Sequence, residues 1–268
     1  MRERMPVPAA LLERLPKLKL ICITGANNRT LDQAAAAARG VEIRHTRQPG
    51  TEHPTAEITW ALILAAARNV TREAQVLREG GWQETLGFTL HGRTLGLVGL
   101  GRIGKLVAGI GRAFGMEIIA WSPNLTEERA ADAGVRMVSK AELMSGSDVI
   151  SLHLVLSDRT RGVIGRGDIA LMRKDAILVN SSRGPLVDEA ALLDALQAGR
   201  IGGAGLDVFE QEPLPADHPF RTLANVAATP HLGYVSRESY AVFFADTVEN
   251  IEGFLAGRPV RVLAPPTT

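Results

Sequence analysis

The chain has 268 residues, of which 46% are hydrophobic, enough to build one large domain or two modest ones. Lys and Arg number 30 against 29 Asp and Glu, a balance that gives no broad electrostatic case for nucleic acid or an anionic membrane. The one cysteine, Cys22, excludes a disulfide framework within the chain, and neither a signal-peptide core nor a membrane-length apolar run is visible, so the expectation is a soluble, cytoplasmic protein.

From the N-terminus, residues 17–24 read as a short buried strand, 25–29 as a loop, 31–39 as an alanine-rich helix stopped by Gly40, and 41–45 as a second strand. After a polar loop through Pro49, Gly50 and Pro54, Thr55 is placed to cap a long helix that runs through Trp60, Leu62, Leu64 and Val70 towards Arg78. From Arg93 the texture changes. Strands are expected at 95–98, 117–121, 149–154, 177–180, 204–208 and 226–228, and helices at 103–114, 140–144, 188–198 and 234–256. Such alternation predicts a mostly parallel sheet covered on both faces. The expected division is discontinuous: a nucleotide-binding body at 82–233, and a second body made of 1–81 with 234–268.

The segment TLGLVGLGRIGKLVAGIGRAFG holds Gly99, Gly101 and Gly104 between an apolar strand and a run with Ile103, Val107, Ile110 and Phe114 at helical spacing. Gly99 permits a tight turn, Gly101 lets backbone approach a pyrophosphate, and Gly104 lets helix and strand pack closely. Arg102 sits in the loop and Ile103 opens the helix, whose N-terminal amides suit phosphate. Arg102 faces either the pyrophosphate or a 2′-phosphate. The next strand runs into Ser122, Pro123 and Asn124, where an NAD-selective site places Asp or Glu. No carboxylate stands there, and no arginine lies within 121–125, so both NAD and NADP remain open.

Four polar positions do not look like packing. Arg183 follows the strand at 177–180 and can hold a carboxylate through its planar fork. Asp207 lies in GLDVF, Glu212 precedes Pro213, and His231 follows Thr229 and Pro230 after another apolar strand. If they converge, His231 can exchange a proton as a carbonyl is reduced, with Glu212 on its other ring nitrogen. Each also has a plain reading, as a surface pair, a turn cap or a loop histidine. His153 either borders the cofactor or is a satisfied strand-end histidine, and Asp188 and Glu189 read as helix capping. One cysteine and scattered histidines do not make a zinc set.

Together VGLGRIG, LMRKDAILVNSSRGPLVDEAALLDALQAGRIGGAGLDVFEQEPLP and TPHLG closely resemble the D-isomer-specific 2-hydroxyacid dehydrogenase family, which includes phosphoglycerate, glycerate and formate dehydrogenases. The resemblance implies an α/β fold with two Rossmann-like domains: a doubly wound parallel nucleotide-binding sheet and a smaller, flavodoxin-like substrate domain. It also implies a homodimer through the nucleotide-binding domain. By motif, Arg183 matches the substrate-carboxylate arginine, His231 the catalytic acid/base, Glu212 its carboxylate partner, and Asp207 the residue that meets the nicotinamide carboxamide. Gly99, Gly101, Arg102, Ile103, Gly104 and Ser122 fall on the cofactor site, and Gly25 and Ala26 on a substrate loop.

Two departures stand out. Ser122 replaces the Asp of many NAD-using relatives, and the opening stretch MRERMPVPAALLERLPKLKLICITG resembles the middle of the family's first domain, which implies a truncated substrate domain with an exposed apolar face or open strand edge. The expected activity is hydride transfer between a nicotinamide cofactor and a D-2-hydroxy acid/2-keto acid pair. The rival is a cofactor-sensing, corepressor-like binding protein or an inactive truncated homologue.

Overall fold

Apolar runs that need cover on both faces dictate the larger part of the fold. The computed structural model describes residues 5–25, 28, 30–47 and 52–264. In chain order its elements are α1 (Ala9–Glu13), β1 (Leu20–Ile23), α2 (Gln33–Ala38), β2 (Glu42–His45), α3 (Glu52–Ala67), α4 (Val70–Arg78), β3 (Thr94–Val98), α5 (Arg102–Ala113), β4 (Glu117–Trp121), α6 (Glu127–Ala131), β5 (Arg136–Met137), α7 (Lys140–Gly146), β6 (Val149–Leu152), α8 (Arg166–Leu171), β7 (Ile177–Asn180), α9 (Glu189–Gln197), β8 (Gly203–Leu206), β9 (Val226–Ala228) and α10 (Arg237–Leu255). The chain divides into two compact units, 52–234 and a smaller one formed by 1–51 with 235–268.

In the larger unit seven parallel strands follow the order β5-β4-β3-β6-β7-β8-β9. Every residue of β6, β7 and β8 is buried. Successive residues feed opposite cores: Ile150 and Leu178 join one apolar cluster, while Val149, Ile177 and Val179 join the other. This is a doubly wound, Rossmann-like α/β sheet. Strand order reverses around β3, which pairs with β4 on one side and β6 on the other. A crevice beyond the carboxyl ends belongs at that point.

The unit boundary departs from the expected division at 81/82. Helix α3 belongs with the sheet, because Trp60, Leu62, Ile63 and Ala67 are buried in the same cluster as Leu95 and Leu97. The long helix expected to reach Arg78 is also two helices. Asn69 takes φ 52°, a left-handed conformation that asparagine tolerates and that ends α3. Thr55 lies inside α3 and does not cap it. The elements left unassigned by sequence pattern, α1, α6, α8 and β5, have six residues or fewer, too short for a period to show.

In the smaller unit β1 pairs in parallel with β2, and Leu12, Ile21, Ile23, Ala36, Val41 and Ile43 form its core. Cys22 is half-buried, and burial pushes its thiol above the ordinary value, away from the reactive thiolate. Helix α10 is tied to β2 through polar anchors. The buried Arg44 pairs with Glu42 and donates to the carbonyl oxygens of Asn250 at 2.8 Å and Arg258 at 3.0 Å. Fully buried Asp246 accepts from Arg47 Nη2 at 2.7 Å, and that guanidinium holds its carboxyl below the ordinary range. No helix among the described residues is long and apolar enough to cross a membrane.

Candidate active site

The glycine loop sits where the strand order reverses. Gly99 follows β3 with φ 108°, and a Cβ there would meet the His153 carbonyl oxygen, just past β6, at 2.7 Å. A Cβ at Gly104 would meet Gly99 O at 2.3 Å, so the loop and the first turn of α5 touch through backbone. At Gly101 a side chain would project into open space, and this residue caps α5 with no side-chain hydrogen bond. The amides of the first turn are thus left to a ligand at a helix N-terminus. Gly99, Gly101, Ser122 and His153 line one cleft of about 350 Å³. An open glycine, an uncapped helix start and a cleft beyond the strand ends fit the pyrophosphate and ribose of a dinucleotide. Arg102 is exposed at the start of α5, and Ile103 packs against the apolar cluster beneath it.

His153 hydrogen-bonds Ser151 Oγ through Nε2 at 2.9 Å, while its Nδ1 is buried with no hydrogen-bond partner among the described residues. Burial pushes its imidazole down to about 4.

The second cluster rises from the carboxyl ends of β7, β8 and β9, three adjacent strands. His231 follows β9 with φ 57°, and its Nδ1 lies 2.6 Å from Glu212 Oε2. The other Glu212 oxygen accepts from the Phe209 amide at 3.1 Å. With a carboxylate on Nδ1, that nitrogen carries the proton and Nε2 is the ring atom left for chemistry. Both side chains are less than one-fifth exposed, 19% and 18%, so their pairing is only partly screened by water.

Asp207, directly after β8, is fully buried. Its Oδ1 accepts from Thr229 Oγ1 at 2.6 Å and Leu232 N at 2.7 Å, and its Oδ2 from Gly233 N at 2.8 Å. Burial pushes its carboxyl above the ordinary range, against the downward pull of those donors. Three donors from 229–233 make Asp207 the clamp of the His231 loop. Arg183 sits on the loop after β7, exposed, with Nη1 donating to Ser182 O at 2.7 Å. Its loop is pinned by Gly184, where a Cβ would stand 2.0 Å from the Phe209 carbonyl carbon. Asp188 caps α9, accepting from Ala191 N at 3.0 Å, which is a structural role.

Helix α3 supplies braces that sequence reading missed. Thr55 Oγ1 donates to Gly233 O at 2.9 Å, and Thr59 Oγ shares a 2.6 Å hydrogen bond with Ser181 Oγ. Thr55 and Thr59 are four residues apart and share a helix face, the one signal that linked them. In the smaller unit Gly25 has φ 108° and its amide donates to Thr46 Oγ1 at 2.8 Å. Ala26 lies outside the described residues. Among the described residues, no group of three or more His, Cys, Asp or Glu side chains could hold a metal ion.

The family model for the NAD binding domain of D-isomer specific 2-hydroxyacid dehydrogenases matches residues 60–233. Across 257 residues the chain is 40% identical to a glyoxylate reductase of Aeropyrum pernix, spanning 92% of this chain and 76% of that protein. It is 41% identical over 259 residues to a D-3-phosphoglycerate dehydrogenase of Methanocaldococcus jannaschii, spanning 96% of this chain but 49% of that longer protein. The crystal structure of a phosphoglycerate oxidoreductase from Vibrio cholerae matches with a TM-score of 0.90 at 40% identity, covering 96% of this chain and 82% of that one.

Proposed function

The chain belongs to the D-isomer specific 2-hydroxyacid dehydrogenase family, and from that premise we propose that it interconverts a D-2-hydroxy acid and its 2-keto acid with NAD or NADP. The observation that carries the reading is the 2.6 Å pairing of His231 Nδ1 with Glu212 Oε2. A reduced nicotinamide supplies the hydride equivalent to C2. In that direction Arg183 holds the substrate carboxylate in a bidentate pair, and His231 Nε2 delivers a proton to the carbonyl oxygen. Glu212 keeps the ring oriented and balances the charge of the protonated imidazole. Asp207 holds the loop: its fully buried carboxylate is engaged by Thr229, Leu232 and Gly233 rather than facing a nicotinamide carboxamide as the motif implied.

The smaller unit is read as the family's flavodoxin-like substrate domain, with Gly25 on its substrate loop. The protein is read as cytoplasmic and as a homodimer through the nucleotide-binding body, where Leu77, Trp82 and Leu86 are 60%, 76% and 98% exposed.

The test follows oxidation of NADPH and NADH by the purified chain with glyoxylate, hydroxypyruvate, pyruvate and a branched 2-keto acid, beside Arg183→Ala. Turnover lost in Arg183→Ala supports the assignment. Equal turnover in both proteins, or cofactor binding without turnover on any acid, overturns it.

A further inference from the structure

One end of the cleft beside the glycine loop has a definite charge. Ser122, Asn124, Arg129 and Arg159 line it. The two arginines come from separate segments, Arg129 from α6 and Arg159 from the stretch between β6 and α8. Both reach the same residue: Arg129 Nη1 lies 3.3 Å from the Asn124 carbonyl oxygen, and Arg159 Nη2 lies 3.5 Å from Asn124 Oδ1. Asn124 stands two positions past Ser122, which itself follows the last residue of β4. A dinucleotide site of this sheet class reads the adenosine ribose at that strand end. A carboxylate there accepts both ribose hydroxyls and repels a 2′-phosphate, whereas a nearby arginine accommodates it. None of the residues lining this cleft is Asp or Glu. The acidic side chains nearest in sequence, Glu127, Glu128 and Asp158, are not among those lining it.

We propose that this cleft selects NADP(H) over NAD(H), with Arg129 and Arg159 binding the 2′-phosphate and Ser122 and Asn124 completing its hydrogen-bond shell. The proposal rests on the reading of the cleft as a nicotinamide dinucleotide site. Each guanidinium has five N–H donors, so bonding to Asn124 leaves donors to turn towards a phosphate. Charge-assisted pairs of this kind are the strong ones, and those between arginine and phosphate are often bidentate. Both arginines are exposed, so the preference weakens as salt rises.

Isothermal titration of the full chain with NADP⁺, NAD⁺, 2′,5′-ADP and 5′-AMP tests this without turnover. The expected result is at least about tenfold tighter binding of each 2′-phosphorylated ligand than of its partner, since a hydrogen bond to a charged group is worth about that factor or more. Arg129→Ala and Arg159→Ala should each weaken NADP⁺ about tenfold more than NAD⁺, and Ser122→Asp should invert the preference. If the parent binds NAD⁺ as tightly as NADP⁺, the selectivity is overturned while the dinucleotide site stands. If the arginine variants lose both dinucleotides equally, the arginines do not read the 2′-phosphate. If no ligand binds, the underlying reading of the cleft fails.

Discussion

Asp207 Oδ2 accepts a hydrogen bond from the Gly233 amide at 2.8 Å, two residues past His231. With Thr229 and Leu232 on the other oxygen, one buried carboxylate fixes both ends of the loop whose histidine stands at φ 57°. Asp207→Asn replaces an acceptor oxygen by a donor NH₂ facing one of those donors. We expect a stability loss of about 1–3 kcal/mol, the cost of a buried group left unsatisfied. We also expect an altered pH profile of kcat, because the ring of His231 is no longer held. Denaturant unfolding and a pH-rate profile check both. A lower midpoint with an unchanged profile would restrict Asp207 to a purely structural role.

Removing the proton donor should act on turnover, not on cofactor capture. His231→Ala is expected to lower kcat by about 10²- to 10⁴-fold, the usual range for a positioned acid/base, with cofactor Kd unchanged. Glu212→Gln keeps a hydrogen-bonding group beside Nδ1 but removes the charge, so its kcat should fall less than that of His231→Ala. Steady-state kinetics and calorimetric titration separate the two effects. Parent-like turnover in His231→Ala would reject the role assigned to it.

Thr59 and Ser181 join α3 to the end of β7, two residues before Arg183. Thr59→Val keeps the side-chain shape and deletes the hydroxyl, leaving Ser181 buried without this partner. A loss of about 1–3 kcal/mol is expected, together with a raised KM for the keto acid because the loop bearing Arg183 is less constrained. Urea unfolding and initial-rate kinetics give the two numbers. A KM that stays fixed while stability falls would show that the brace does not extend to Arg183.

The exposed side chains of Leu77, Trp82 and Leu86 should be covered by a second copy. Light scattering at micromolar concentration should return a dimer mass for the parent and a monomer mass for Leu86→Glu, since a buried unpaired charge is costly. A monomeric parent, or a Leu86→Glu protein that stays dimeric, removes this surface from the assembly.

The sheet was legible because its strands are short apolar runs closed by glycines and polar turns: Glu117–Trp121, Ile177–Asn180 and Val226–Ala228 fall where sequence pattern puts them. The pairing of Glu212 with His231 was expected only through the family resemblance, since residues 19 positions apart need not meet, and the structure brings them to 2.6 Å. What escaped depends on contacts between distant segments. Asn69 reads as an ordinary helix-surface residue until its backbone turns left-handed. Arg129 and Arg159 lie 30 residues apart in sequence, in stretches without apolar period, and only the packing of the β4 and β6 loops brings both to Asn124. The braces from α3 were hidden for the same reason, because Thr59 and Ser181 are 122 positions apart.

His153 makes the acid limit of the fold predictable. Its imidazole, ordinarily titrating near 6.5, is pushed down to about 4 by burial, and Nδ1 has no partner to support a second proton. The unfolded chain therefore binds a proton at this residue more readily than the native state does between about pH 6.5 and 4. Stability from this group is fully present above 6.5 and is lost as pH falls towards 4. Asp207 works in the opposite sense, because a carboxyl raised by burial takes up its proton more readily in the native state and so offsets part of the loss on acidification. Comparing the parent with His153→Asn separates the two, since asparagine does not titrate and leaves Asp207 in place. Unfolding free energies measured from pH 7.5 to 4 should fall more steeply for the parent than for His153→Asn, with the gap between them changing through that window. Parallel curves for the two proteins would mean that His153 takes up its proton in the native state as readily as in the unfolded chain, and that the cleft wall at His153 is wetter than its burial implies.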